Sequence, residues 1–339
     1  MELSTRYLGM TLRNPLVASP SPMSQTVDGV RRLADGGVGA VVLYSLFEEQ
    51  LLRQAERDSR LAEAGTESFG EELSYFPEDV DPEESDPGPR RYLSLLERAA
   101  NAVDVPVIGS LNGVTPGGWS RYAMAMQNAG AAAIELNIYY LPGDPHITGR
   151  EVEQRHLDVL DSVKQSVTVP VAVKLSPYFS AMGEMALRLD DAGADGLVLF
   201  NRFLQPDIDP ETLRVISAVT LSRPSEARLP RTWIALLRGR VKASLAATSG
   251  VEHVADVVAY LLAGADVVMS TSALLRHGPD HARALLDGLS DWMRRKGFDT
   301  VDQMRGLLAT PTDADHTGQE RSGYVGAMRK ANAGSYGSW

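Results

Sequence analysis

The sequence predicts a single (β/α)8 TIM barrel of the α/β class, with long loops after the second and sixth strands. Three observations carry that prediction. A helix-to-strand pattern recurs four times around glycine, in DGGVGAVVLYS, NAGAAAIELNIY, DAGADGLVLFNR and LAGADVVMSTS. Glycine at a helix C-cap tolerates the left-handed conformation, and a buried parallel strand can then follow. Four further apolar runs precede helical periodicity, NPLVASP (14–20), VPVIGSLN (105–112), PVAVKLSP (170–177) and VKASLAAT (241–248), which brings the strands to eight. Finally, no G-x-G-x-x-G opens a helix after the first strand and no G-x-x-x-x-G-K-[ST] occurs, which argues against an open doubly wound sheet.

The helices are expected at 26–36, 90–103, 117–130, 150–167, 180–193, 231–238, 251–264 and 278–295. Strands alternating with helices in this order give a barrel over 1–310. Residues 46–89 form an acidic insertion or lid: from 46 to 90 there are fourteen Asp or Glu against four Arg, which also reads as a solvated surface. The segment 311–339, rich in Gly and polar residues, is expected as an extended C-terminal tail that packs on a subunit partner through Tyr324 and Trp339.

Composition narrows the function. The 44% hydrophobic and 23% charged content is that of a soluble globular protein, no apolar run is long enough to span a membrane, and the N-terminus lacks a signal-peptide pattern. A cytoplasmic location is the expectation. The absence of cysteine removes disulfides, iron–sulfur clusters and a thiolate nucleophile. A net charge of −11 argues against nucleic acid as a partner. The histidines show no ligand spacing with acids, so no metal is expected. His146 in LPGDPHITG is read as a solvated loop residue in preference to a proton donor.

In a barrel the chemistry sits at the C-terminal strand ends. Here these carry Ala18, Ser19, Tyr44, Ser45, Ser110, Asn112, Asn137, Tyr139, Tyr140, Lys174, Ser176, Asn201, Arg202, Thr248, Ser249, Ser270, Thr271 and Ser272. TSGVEH and STSALL, after strands seven and eight, place small residues where this architecture binds phosphate, although tight βα turns favour the same residues. Lys174, an ammonium within an apolar strand, must face the interior and needs an anionic or electron-rich partner. That partner is either an interior acid such as Glu135, in a structural ion pair, or a bound group. Asn137 and Asn201 can hold a planar heterocycle by its edge, which suits a flavin.

LRNPLVASPSPMS, VPVIGSLNG, AGAAAIELNI, VPVAVKLSPYFS, AGADGLVLFNR, LLAGADVVMSTSALLRHGP and WMRRKGFDTVDQMRGLL resemble the dihydroorotate dehydrogenase family of FMN-containing barrels, nearest its class 1 branch. The resemblance implies that Ala18, Ser19, Ser45, Asn112, Asn137, Lys174 and Asn201 surround the flavin ring. It implies that Ser249, Gly250, Thr271 and Ser272 cradle the FMN phosphate. Lys174 would stabilise the reduced, anionic flavin.

The departures fall on the substrate side. Tyr44 stands where the family has a lysine, residues 46–89 lack the family's asparagines, and RPSEARLPR replaces a glycine-rich segment. NIYYLP replaces a phrase like NLSCPN, so that Tyr140 stands at the position of the family base and Tyr139 beside it. Tyr140, Tyr139 and Lys174 are therefore the catalytic candidates, with Tyr139 expected to point into the barrel mouth and Tyr140 to roof the flavin.

The expected function is an FMN-dependent oxidoreductase acting on the CH–CH group of a small carbonyl-conjugated substrate other than dihydroorotate. The expected assembly is a homo-oligomer, a dimer, that can have a protein electron-transfer partner. Two alternatives stay open: a catalytically degenerate FMN-binding partner subunit, and a flavin-free lyase or isomerase using Lys174 as a Schiff-base amine.

Overall fold

The computed structural model describes residues 1–51, 88–113, 119–140, 142–202, 206–216, 220–313 and 316–332. Most of the acidic insertion, 52–87, lies outside the described residues. Eight parallel strands close into a barrel: β1 (Leu16–Ala18), β2 (Ala40–Val42), β3 (Val107–Gly113), β4 (Ala133–Ile138), β5 (Val171–Leu175), β6 (Gly196–Leu199), β7 (Ser244–Ala247) and β8 (Val267–Ser270). Each pairs with its sequence neighbours, and β8 returns to β1 with Ser270 opposite Ala18, so no edge is left open.

The surrounding helices are α1 (Val27–Asp35), α2 (Pro89–Ala100), α3 (Trp119–Asn128), α4 (Gly149–Lys164), α5 (Met182–Asp191), α6 (Arg228–Leu237), α7 (Val254–Ala263), α8 (Ser272–His277) and α9 (His281–Lys296). The glycine of each repeat, Gly37, Gly130, Gly193 and Gly264, has positive φ. This is the left-handed turn that sends each helix back toward the sheet. The helix expected at 278–295 is α9, and a separate short helix, α8, precedes it, ending at Gly278 with φ of 84°.

Strand alternation divides the core in two. One set of side chains, including Leu16, Val41, Ile134, Val173 and Leu197, packs under the helices. The other, including Val17, Val42, Ile108, Ala133, Ala172, Val198 and Ala246, fills the barrel interior. The base of the barrel is plugged by an antiparallel hairpin, Thr5–Tyr7 with Met10–Leu12, whose turn residues Leu8 and Gly9 both have positive φ. Leu8 inserts against Gly196, where a Cβ would stand 2.6 Å from Leu8 Cδ2.

Two loop regions differ from expectation. Residues 203–230 contain a hairpin, Asp207–Asp209 with Arg214–Ile216, signalled in sequence only by the alternation DID and RVI around a PETL turn. Residues His316–Asn332 are helical, where the glycines suggest an extended tail. Glycine costs a helix about 1 kcal/mol each, but the Gln, Glu, Arg, Ala, Met and Lys around them are good helix formers. Tyr324 is exposed, and Trp339 lies outside the described residues. The last backbone bonds onto the barrel wall run from Gly306, Leu308 and Thr310 to Leu261, Leu262 and Ala235.

Tyr92 ties α2 to the sheet: its buried hydroxyl accepts from the Ser110 N–H at 2.9 Å. Tyr92→Phe leaves that N–H unsatisfied and should lower the urea-unfolding free energy by about 1–3 kcal/mol. An unchanged midpoint would show that the strand does not depend on this anchor.

Candidate functional site

The polar residues of the mouth lie in rows set by strand register. Asn137 on β4 stands opposite Asn112 on β3 and Lys174 on β5, and Ser110 and Glu135 form the row beneath. Alternation turns all five to the interior, directly above the apolar filling.

Lys174 and Glu135 are both buried. The lysine Nζ donates to Glu135 Oε1 at 3.3 Å and to Ser19 Oγ, on the far side of the barrel, at 3.3 Å. Glu135 Oε2 has no hydrogen-bond partner. The ion pair anticipated from sequence is present, and Lys174 also lines the main cavity of the mouth. Asn201 Nδ2 donates to Asn137 Oδ1 at 2.7 Å, and the Ser45 and Ser110 hydroxyls meet at 2.9 Å.

The cavity, about 410 Å³, runs from Ser19 and Lys174 past Asn201 to Ser249, Gly250, Thr271 and Ser272. Seven residues expected at the site therefore share one wall. Ala18, Ser45, Asn112, Asn137, Tyr139 and Tyr140 are not part of that wall. The Ala18 side chain packs in the helical layer. Tyr139 and Tyr140 are half-buried at the end of β4, where the Tyr140 N–H turns back onto Ile138 O at 3.2 Å. The Arg155 guanidinium of α4 lies 4.3 Å from the Tyr140 ring centroid, a cation–π contact. Tyr44 stacks edge-on against Tyr92 at 5.0 Å and packs toward the helices. His146 is exposed.

At the far end of the cavity three loops are sewn together. The Ser222 N–H donates to Ser272 Oγ at 2.9 Å, the two hydroxyls meet at 2.9 Å, and Gly250 N–H donates to Ser222 Oγ at 3.3 Å. Gly250 has φ of 68°, and a Cβ there would stand 2.7 Å from Arg223 O. Only glycine fits this turn.

Sequence reasoning missed Ser222, which the RPSEARLPR departure overshadowed. It also missed Glu252, whose Oε1 accepts from His277 Nε2 at 2.6 Å while Arg276 holds Oε2. Neither histidine nor acid shows a spacing that signals this contact, because α8 brings them together through the fold.

These features define a class: a closed α/β barrel with a buried cation and amides at the mouth and a glycine turn at the end of a cavity. The family profile described as dihydroorotate dehydrogenase matches residues 85–293, more than half of the chain. The chain belongs to the dihydroorotate dehydrogenase family.

Among its relatives is the dihydroorotate dehydrogenase B (NAD(+)) catalytic subunit of Methanothermobacter thermautotrophicus, 28% identical across 90% of this chain and 98% of that one. Another is the putative dihydroorotate dehydrogenase A (fumarate) of Aeropyrum pernix, 27% identical over 66% of this chain and 74% of its own. The NAD-dependent dihydropyrimidine dehydrogenase subunit PreA of Escherichia coli is 24% identical over 90% of this chain and 76% of its own. Among the described residues no helix is long and apolar enough to cross a membrane.

Glu252 makes a prediction about acid. Burial pushes its carboxyl upward, but the His277 hydrogen bond and the Arg276 charge outweigh this and hold it below the ordinary value of 4.5. A carboxyl lowered on folding stabilises the protein above that value, and the contribution disappears as pH falls through the lowered one. The melting-temperature gap between the protein and Glu252→Gln should therefore be steady near neutrality and close below about pH 4.5. A gap independent of pH would show that the Glu252 carboxylate charge contributes nothing.

Proposed function

We propose that the chain is an FMN-dependent oxidoreductase acting on the CH–CH group of a small carbonyl-conjugated substrate that is not dihydroorotate. The observation that carries this reading is Lys174, a buried cation that faces the cavity and is held from two sides by Glu135 and Ser19. Glu135 Oε2 is an orphaned buried acceptor at the floor of this polar layer, and Gly250 sits where a side chain would collide. A cation at one end and a glycine turn at the other fit the ring and the phosphate of a flavin mononucleotide, and the cavity volume falls in the range of small-ligand sites.

Bound FMN would supply reversible two-electron redox chemistry. Ser19 and Glu135 orient the Lys174 ammonium, so that its charge is fixed before negative charge develops nearby. Asn201, steadied by Asn137, presents an amide edge. Carboxylate and hydroxyl contacts on Nζ favour this electrostatic role over Schiff-base chemistry. The proposed location is cytoplasmic, as a dimer that can pass electrons to a protein partner. The subunit names of the relatives support a multi-subunit setting.

The substrate side supports a changed specificity. Tyr139 and Tyr140 fill the place of a short base, and the second phenol is engaged by Arg155. That engagement also favours a second reading, an FMN-binding partner subunit without independent turnover.

Purified protein should be yellow and release FMN on denaturation; a colourless protein that takes up no added FMN sinks both readings. Lys174→Met leaves the Glu135 carboxylate buried and unpaired, so it should cost about 3–5 kcal/mol of stability and weaken FMN retention. If that variant kept both stability and flavin, Lys174 would not be the anchor. Tyr140→Cys restores the family's base type without its asparagine anchors, and orientation is lost with them. No useful dihydroorotate oxidation is expected, and robust turnover would refute the specificity claim.

A further inference from the structure

Glu252 lies on the loop between β7 and α7 and is buried. It is gripped at three points from α8 and the start of α9. Arg276 holds Oε2, His277 Nε2 donates to Oε1 at 2.6 Å, and His281 Nε2 donates to the Glu252 backbone carbonyl at 2.9 Å. Arg276 also reaches a second loop, where its Nη2 donates to Ser222 O at 2.8 Å. One guanidinium thus joins the β7 loop, α8 and the segment before α6, which come from three different βα units.

None of Glu252, Arg276 and His277 lines the cavity. What they hold does line it: Ser222, Gly250 and Ser272, whose bonds to one another close the far end. Loops from separate units have no ladder between them to fix their spacing, and a hydrogen bond weakens as its donor drifts from the preferred distance and angle. The charges of Arg276 and Glu252 cancel, so this pair adds little long-range attraction for an anion. Its effect is geometric.

We propose that Glu252, Arg276 and His277 form a positioning clamp that sets the anion-binding end of the cavity. On this view the clamp determines selectivity for a phosphorylated over a dephosphorylated ligand. The inference rests on the FMN reading above. A forked, bidentate donor is required because Arg276 must satisfy the carboxylate and the Ser222 carbonyl together. The Lys ammonium is a point charge and cannot span both.

The test is titration of flavin-free protein with FMN and with riboflavin, which differ only in the phosphate. Arg276→Met should weaken FMN binding by about tenfold, as expected for the loss of a well-placed hydrogen bond, and leave riboflavin binding within about twofold. Arg276→Lys should restore only part of the FMN affinity. His277→Ala removes the half-exposed arm, is the variant least able to disturb folding, and should still shift the FMN-to-riboflavin ratio by a few-fold in the same direction.

Thermal unfolding establishes that each variant is folded. Equal losses for the two ligands, or an unchanged ratio in folded His277→Ala, overturn the clamp while leaving the FMN reading intact. Failure of the unmodified protein to bind FMN overturns that reading and the clamp with it.

Discussion

The contact on which the mouth depends is the reach of Lys174 across the barrel. The lysine leaves β5, and its ammonium meets Ser19 beyond the end of β1, four strands away around the ring. The layer beneath is filled by the small side chains of Ala133, Ala172 and Ala246 together with Val17, Val42, Val198, Ile108 and Met269. Burying an ammonium is costly without a partner, and Glu135, one row lower on β4, supplies it. The row spacing therefore does more than place two charges: it puts the carboxylate below and leaves the space above the lysine to the cavity.

The remaining site follows from where each strand stops. Asn137 precedes the turn at Tyr140 and so still obeys the alternation that aims it inward, where it meets Asn201 from the adjoining region of the mouth. Ser249, Gly250, Thr271 and Ser272 lie beyond their strands, where loop conformation decides their positions. The two halves of the site are accordingly held by different means. Strand register fixes the lysine end, and side-chain bonds between loops fix the glycine end.

The barrel is legible in the sequence because its signal is repeated. Four glycine C-caps and eight apolar runs agree with one another, and agreement between local signals is what specifies a fold. Lys174 is legible too, since a charge in the run VAVKL has few places to go. Contacts made by tertiary folding are not. Glu252, Arg276 and Ser222 belong to separate segments, and nothing periodic links them. Tyr44 reads as a mouth residue because it ends an apolar strand, but β2 stops at Val42, and the lost alternation lets the ring turn to Tyr92. The helix His316–Asn332 is hidden by its glycines, which count against a helix one at a time while its many good formers act together.

The hairpin that plugs the base has a consequence for the order of assembly. Thr5 donates to the carbonyl of Asp266, 261 positions later, and receives a bond from Arg305, 300 positions later; Leu8 binds the Ser244 hydroxyl. Its socket is thus built from residues synthesised long after it. During translation this apolar hairpin must wait undocked until the last strands arrive, so closure of the barrel is a late event that couples the two ends of the chain. Nascent chains that have not yet reached β8 would carry an undocked plug.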